Sequence, residues 1–156
     1  MTMEESFRKY MEENPGIALI SKEDVDKIKI KMGKSRRKES DWMVIKEILY
    51  HHDLITAAPQ NNTGLVSDTS GVLCEEGVLI AFTNFDDCER HLKRLYKRDT
   101  RIGSMFQITS LSLEDIIMVA DAEKKDLYID IQDKPNTMFM AYLHETREIK
   151  ALMLGR

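Results

Sequence analysis

Five consecutive apolar residues, Val78 to Phe82, are separated only by Thr83 and Asn84 from a segment, Phe85 to Arg98, whose apolar positions fall on one side of a helix. Neither piece is stable uncovered in water. A continuously apolar strand has to be buried by helices or a second sheet, and the helix has to lay Phe85, Cys88, Leu92, Leu95 and Tyr96 against it. That helix is also the best marked in the chain. Thr83 or Asn84 stands at its N-cap, Asp86 and Asp87 place negative charge in its first turn, and Lys93, Arg94, Lys97 and Arg98 place positive charge towards its end. Both poles of the helix dipole are matched in this way. Just upstream, Val72-Leu73-Cys74, the turn Glu75-Glu76-Gly77 and the apolar run read as a hairpin, with Gly77 supplying a positive φ.

The flanking segments supply the other layers. Phe7, Tyr10 and Met11 share a helical face before Asn14-Pro15-Gly16 breaks the chain. Ser21 to Asp24 has the spacing of a capping box, and Val25, Ile28 and Met32 follow on one face before Gly33. The alternation from Lys27 to Met32 also fits a strand, but the cap and the glycine agree on a helix. Gly33 to Ser40 reads as a short, solvated, basic linker. A third helix is expected from Asp41 to His51, where Trp42, Ile45, Ile48 and Leu49 form a stripe. Strands are expected at Leu54–Ala58, Met105–Thr109 and Leu127–Ile131. Ser112 to Asp115 opens another helix, with Leu111 and Ile116 placed as a hydrophobic staple, and that helix ends near Glu123. Pro59 to Gly64 and Gln132 to Asn136 have turn composition. In the tail, Met138–Leu143 and the alternating Ile149, Ala151 and Met153 fit either a hairpin or a C-terminal helix. The order predicts an α+β fold, a mixed β-sheet of about five strands flanked by helices, with a helical arm and basic linker over residues 1–38 and the main domain over 39–156.

A chain of 156 residues buries enough surface to fold without staples. Its two cysteines, Cys74 and Cys88, are expected as thiols. The charged start lacks the pattern of an export signal and no apolar run approaches bilayer length, so the expectation is a cytoplasmic protein with no membrane contact. Charge is uneven: residues 1–40 carry ten Lys/Arg against eight Asp/Glu, residues 41–156 thirteen against nineteen, and the whole is at -4. That balance argues against a dedicated nucleic-acid binder. Two short amphipathic helices in the arm need covering, which fits a homodimer.

Several constellations bear on chemistry. His51-His52-Asp53 combines imidazoles with a carboxylate, but neighbours on a helix diverge by about 100°, and a histidine at a helix C-terminus has the dipole as its reason. Cys88 and His91 have chelating spacing, yet Cys88 belongs to a buried stripe. Asp115 caps a helix, Asp121 ends one and Asp133 opens a turn, which leaves Asp130, between Ile129 and Ile131, without a local role. No glycine-rich phosphate loop and no G-x-S-x-G turn is present. Two basic stretches remain: seven Lys/Arg between Lys27 and Lys38, and the stripe Arg90, Arg94, Lys97, Arg101. Solvation and the helix dipole account for both, without interleaved aromatics for base stacking.

The sequence Gly77-Val78-Leu79-Ile80-Ala81-Phe82-Thr83-Asn84-Phe85, followed by a short strand, the helix opened by Ser112-Leu113-Glu114-Asp115-Ile116-Ile117, the strand Leu127–Ile131 and a Pro-containing turn, resembles the amino-terminal domain of the SseB family, the bacterial enhanced serine sensitivity proteins. The resemblance covers roughly residues 40–136. It implies a small bacterial cytosolic domain of poorly defined, non-enzymatic role. The expectation is therefore an interaction or regulatory module with a protein partner, no catalytic residues, no bound metal and no cofactor. Its expected contact region lies around Thr83, Asn84 and Pro135, with Arg94, Lys97 and Arg101 as a second surface. Two rival readings are a small metal-dependent hydrolase using His51 or His91 with Asp130, and a nucleic-acid accessory protein using the basic helix.

Overall fold

The apolar run at Val78 is buried on both faces, and that fact organises the rest. The computed structural model describes residues 2–34, 36–59, 74–75, 77–98, 106–131 and 138–153. Its elements, in order, are α1 (Met3–Glu13), α2 (Lys22–Met32), α3 (Glu39–Tyr50), β1 (Asp53–Pro59), β2 (Cys74–Glu75), β3 (Val78–Ala81), α4 (Phe85–Arg98), β4 (Phe106–Ser112), α5 (Leu113–Glu123), β5 (Asp126–Ile129), β6 (Met138–Leu143) and β7 (Glu148–Met153). Five strands form one sheet in the order β2-β3-β5-β6-β7. The β3–β5 pair is parallel and the other pairs are antiparallel, so the sheet is mixed. A second ladder joins β1 to β4, with Asp53 opposite Ser112 and Pro59 opposite Phe106. The fold is α+β.

The two ladders meet at one point. Ile55 N–H donates to the Phe82 carbonyl at 2.8 Å and Phe82 N–H donates to the Ile55 carbonyl at 2.7 Å. Alternation along β3 then sends neighbouring side chains to opposite sides. Leu79 and Ala81 enter a cluster with Ile28, Met32, Ile45, Leu49, Ile116, Ala120, Leu127, Met140 and Ile149, contributed by α2, α3, α5 and the later strands. Ile80 and Phe82 enter a second cluster with Phe7, Ile55, Ala57, Cys88, Leu92, Leu95 and Ile108, contributed by α1, α4 and the β1–β4 ladder. One apolar strand thus serves two cores.

Local signals explain most boundaries. Ser21 accepts the Asp24 N–H at 3.2 Å and Ser112 accepts the Asp115 N–H at 3.2 Å, each closing the first turn of a helix. Asn84 does the same for α4, accepting the Asp87 N–H at 2.9 Å. Gly77 adopts φ 79 in the β2–β3 turn, as its position requires. The tail is a hairpin, β6 against β7, so the rival helix falls; alternation of Met140, Tyr142 and Ile149 into the first cluster is what selects it. The fifth strand stops at Ile129 instead of continuing to Ile131, because Asp130 turns to φ 57.

The first two helices lie against the rest of the chain. Phe7 is buried, and its ring stacks on Phe85 with centroids 5.0 Å apart, while Tyr10 Oη–H donates to the Ser110 carbonyl at 3.5 Å. Their apolar stripes are covered within the molecule, which removes the reason given above for a homodimer. Among the described residues, no helix is long and apolar enough to cross a membrane.

Candidate binding cleft

The residues singled out for chemistry separate in space. His51 is exposed, His52 Nδ1 meets the Ile48 carbonyl at the end of α3, and Asp53 accepts the Ala18 N–H at 3.0 Å. The three neighbours therefore do not converge: His52 and Asp53 hold two different backbone segments and His51 faces outward. Asp121 accepts the Tyr142 hydroxyl at 3.0 Å and Asp126 accepts the His144 N–H at 3.1 Å, pinning the β6–β7 turn. Among the described residues, no three His, Cys, Asp or Glu side chains come together as metal ligands. Asp133, Arg101 and Pro135 lie outside the described residues.

Cys88 is fully buried in the second cluster, and burial, with Asp87 and Glu89 nearby, pushes its thiol up to about 12. A thiol held neutral is a poor nucleophile. Cys74 is exposed. Titration of the native protein with an aromatic disulfide reagent is expected to modify one thiol, Cys74, with Cys88 reacting only after denaturation; two native equivalents would show that the α4 face opens readily.

Asp130 has a partner that its own surroundings in the sequence do not reveal. Its carboxylate accepts the Thr83 N–H at 2.8 Å and the Thr83 hydroxyl at 2.6 Å, across a sequence gap of 47 residues. Parallel pairing of β3 with β5 brings both residues to the same end of the sheet, beside the N-terminus of α4. Burial pushes the Asp130 carboxyl up from its ordinary value, the Thr83 hydrogen bonds pull it down, and Asp87 adds to the rise. Thr83 is buried and held there, and Asn84 is engaged with Asp87. In the second expected surface, Arg94 lies 3.2 Å from His91 Nδ1 and is partly buried, whereas Lys97 is exposed.

The basic segment between α2 and α3 is more ordered by charge than a solvated linker would be. Asp41, 3 % exposed, takes Lys34 Nζ at 2.8 Å, Lys31 Nζ at 3.3 Å and the Lys38 N–H at 2.9 Å. The Lys34 ammonium, followed by the Lys38 amide, holds the Asp41 carboxyl well below the ordinary carboxylate range. A lowered folded value means that the stabilisation is whole above the ordinary 3.8 and is lost as pH falls below it. Asp41→Asn is expected to weaken the chain near neutral pH and to flatten the acid loss of stability, as read by urea midpoints from about pH 6 to about pH 2. An unchanged acid limb would sink that assignment.

This crook delivers Arg37 to the start of α3. Arg37 Nη1–H donates to the Met32 carbonyl at 2.7 Å, capping α2, and the guanidinium lies over the Trp42 ring, 5.3 Å from its centroid. Its Nε is buried, with no hydrogen-bond partner among the described residues. Beside it opens a cleft of about 550 Å³ lined by Arg37, Glu39, Trp42, Lys46, Glu148, Ile149 and Lys150. Lys150 pairs with Glu148 at 3.7 Å. Lys46 has no ion-pair partner among the described residues, nor has Arg37, and Glu39 sits in the first turn of α3, where the helix dipole offsets its charge. The cleft therefore offers an aromatic floor and two cations not balanced by side-chain pairs among the described residues. Sequence reading placed Trp42 on a helical stripe and missed the cleft; the one local hint was an arginine five residues before the only tryptophan.

Comparisons of the chain with protein-family models, with curated proteins and with solved structures find no match.

Proposed function

We propose that this chain is a non-catalytic interaction or regulatory module of the SseB-like type, working in a bacterial cytoplasm, and that it recognises a protein partner through the cleft between α3 and β7. The observation that carries the reading is the cleft itself: Trp42 under Arg37, flanked by Lys46 with no ion-pair partner among the described residues, is a surface equipped for recognition. Arg and Trp are the residue types that dominate binding energy where a partner buries them. Asp41, Asp53, Asp121, Asp126, Asp130 and His52 support the same reading, because each is engaged in holding backbone or a neighbouring side chain.

The test is purification of the tagged chain from its native host beside Lys46→Glu and Lys97→Glu. A stoichiometric protein is expected to stay with the wild type and with Lys97→Glu and to be lost from Lys46→Glu. Loss from Lys97→Glu alone moves recognition to α4. Stoichiometric zinc, manganese or iron in the purified protein, removed by His91→Ala, overturns the reading in favour of a metal-dependent hydrolase.

A further inference from the structure

The position of the cleft says how a partner would lie in it. Glu148, Ile149 and Lys150 are three successive residues of β7, and successive residues of a strand point to opposite faces of the sheet. A cleft that touches all three meets the edge of the strand as well as one face. One edge of β7 is paired with β6, and β7 is the last strand in the sheet order, so the cleft runs along the outer edge. Among the described residues no strand pairs with that edge. It presents a row of backbone donors and acceptors beside the Trp42 ring, with Ile149 turned into the first cluster on the α3 side.

We infer that the cleft takes an extended acidic segment of a partner protein, which adds to the sheet as a sixth strand against β7. The inference rests on the interaction-module reading and names the partner chemistry of that same site. Main-chain hydrogen bonds to β7 supply the docking, and alternate side chains of the added strand face the α3 side. Those side chains meet Trp42 and two cations, Arg37 and Lys46, that lack side-chain counterions among the described residues. Carboxylates on the side chains facing α3 match the sign of those two cations. The paired Glu148 and Lys150 flank the edge with opposite charges, which disfavours purely apolar strands from adding there.

The chain carries a single tryptophan, so Trp42 emission reports on the cleft directly. The probes are three acetylated octapeptides: alternating glutamate and valine, alternating lysine and valine, and the glutamate peptide with its backbone nitrogens methylated along both edges. The glutamate peptide is expected to change Trp42 emission saturably and to shift the amide resonances of residues 148–150. Lys46→Glu, an exposed position, is expected to weaken it by about tenfold. Methylation is expected to abolish the response. No response to the glutamate peptide at about millimolar concentration overturns the inference, since a Kd weaker than that leaves less than about 4 kcal/mol of binding. Equal response to the lysine peptide overturns the acidic preference, and retained binding after methylation overturns strand addition. In each of these outcomes the interaction-module reading is still decided by whether a native partner is lost from Lys46→Glu.

Discussion

Phe82→Ala is expected to lower the unfolding free energy by about 3–5 kcal/mol. The side chain is 1 % exposed and sits where the two ladders meet, with its ring centroid 5.6 Å from that of His91. Its backbone hydrogen bonds with Ile55 do not depend on the ring, so the substitution removes packing and leaves the junction's register intact. The hole it opens is bounded by α4 on one side and by Ile55 and Ala57 on the other, which are held by a sheet and cannot close freely. Urea unfolding should show a shifted midpoint with an unchanged slope, and thermal unfolding a drop on the order of 10 °C. A loss below about 1 kcal/mol would mean that the second cluster is not packed as described.

Asp130→Ala is expected to cost about 3 kcal/mol, from two separable sources. The first is the pair of hydrogen bonds to Thr83: losing a charged acceptor strands a buried N–H and a buried hydroxyl, at about 1.5–3 kcal/mol. The second is the backbone, since φ 57 is a left-handed conformation that costs alanine about 1 kcal/mol, a strain that the Thr83 hydrogen bonds outweigh in aspartate. Asp130→Gly removes the first source and avoids the second, so it should be the milder variant by about 1 kcal/mol. Equal stabilities for the two variants would show that the left-handed turn is not maintained. Because burial raises the Asp130 carboxyl in the folded state, its contribution is greatest at low pH and declines as pH rises through the folded value, opposite in sign to Asp41.

These two residues also show where sequence reading succeeds and where it stops. The Val78–Phe82 run, the charged poles of α4, and the caps at Ser21, Asn84 and Ser112 are local, and each reports on a boundary within a few residues of itself. Elements marked by such signals lie where those signals predict them. The partner of Asp130 stands 47 residues away, brought near by a parallel pairing that no short window contains. In the sequence Asp130 falls inside a strand running to Ile131, without a local role; instead the strand ends before it and the carboxylate turns inward. The cleft has the same character. Arg37 and Trp42 are neighbours in sequence, but Glu148 to Lys150 enter from the far end of the chain, because the tail forms a hairpin and β7 ends on the α3 side of the sheet. Basic residues read as a solvated run were divided by tertiary structure, Lys31 and Lys34 going to Asp41 and Arg37 to Trp42.

Ser112 ends β4 and caps α5 with no residue between them. One residue inserted at that joint would rotate every side chain of α5 by about 100° about the helix axis. Ile116 and Ala120 would swing out of the first cluster while β4 stayed fixed opposite β1. Lineages descending from this protein should therefore gain and lose residues elsewhere, and a gap at this joint in any true descendant would mark a rebuilt helix.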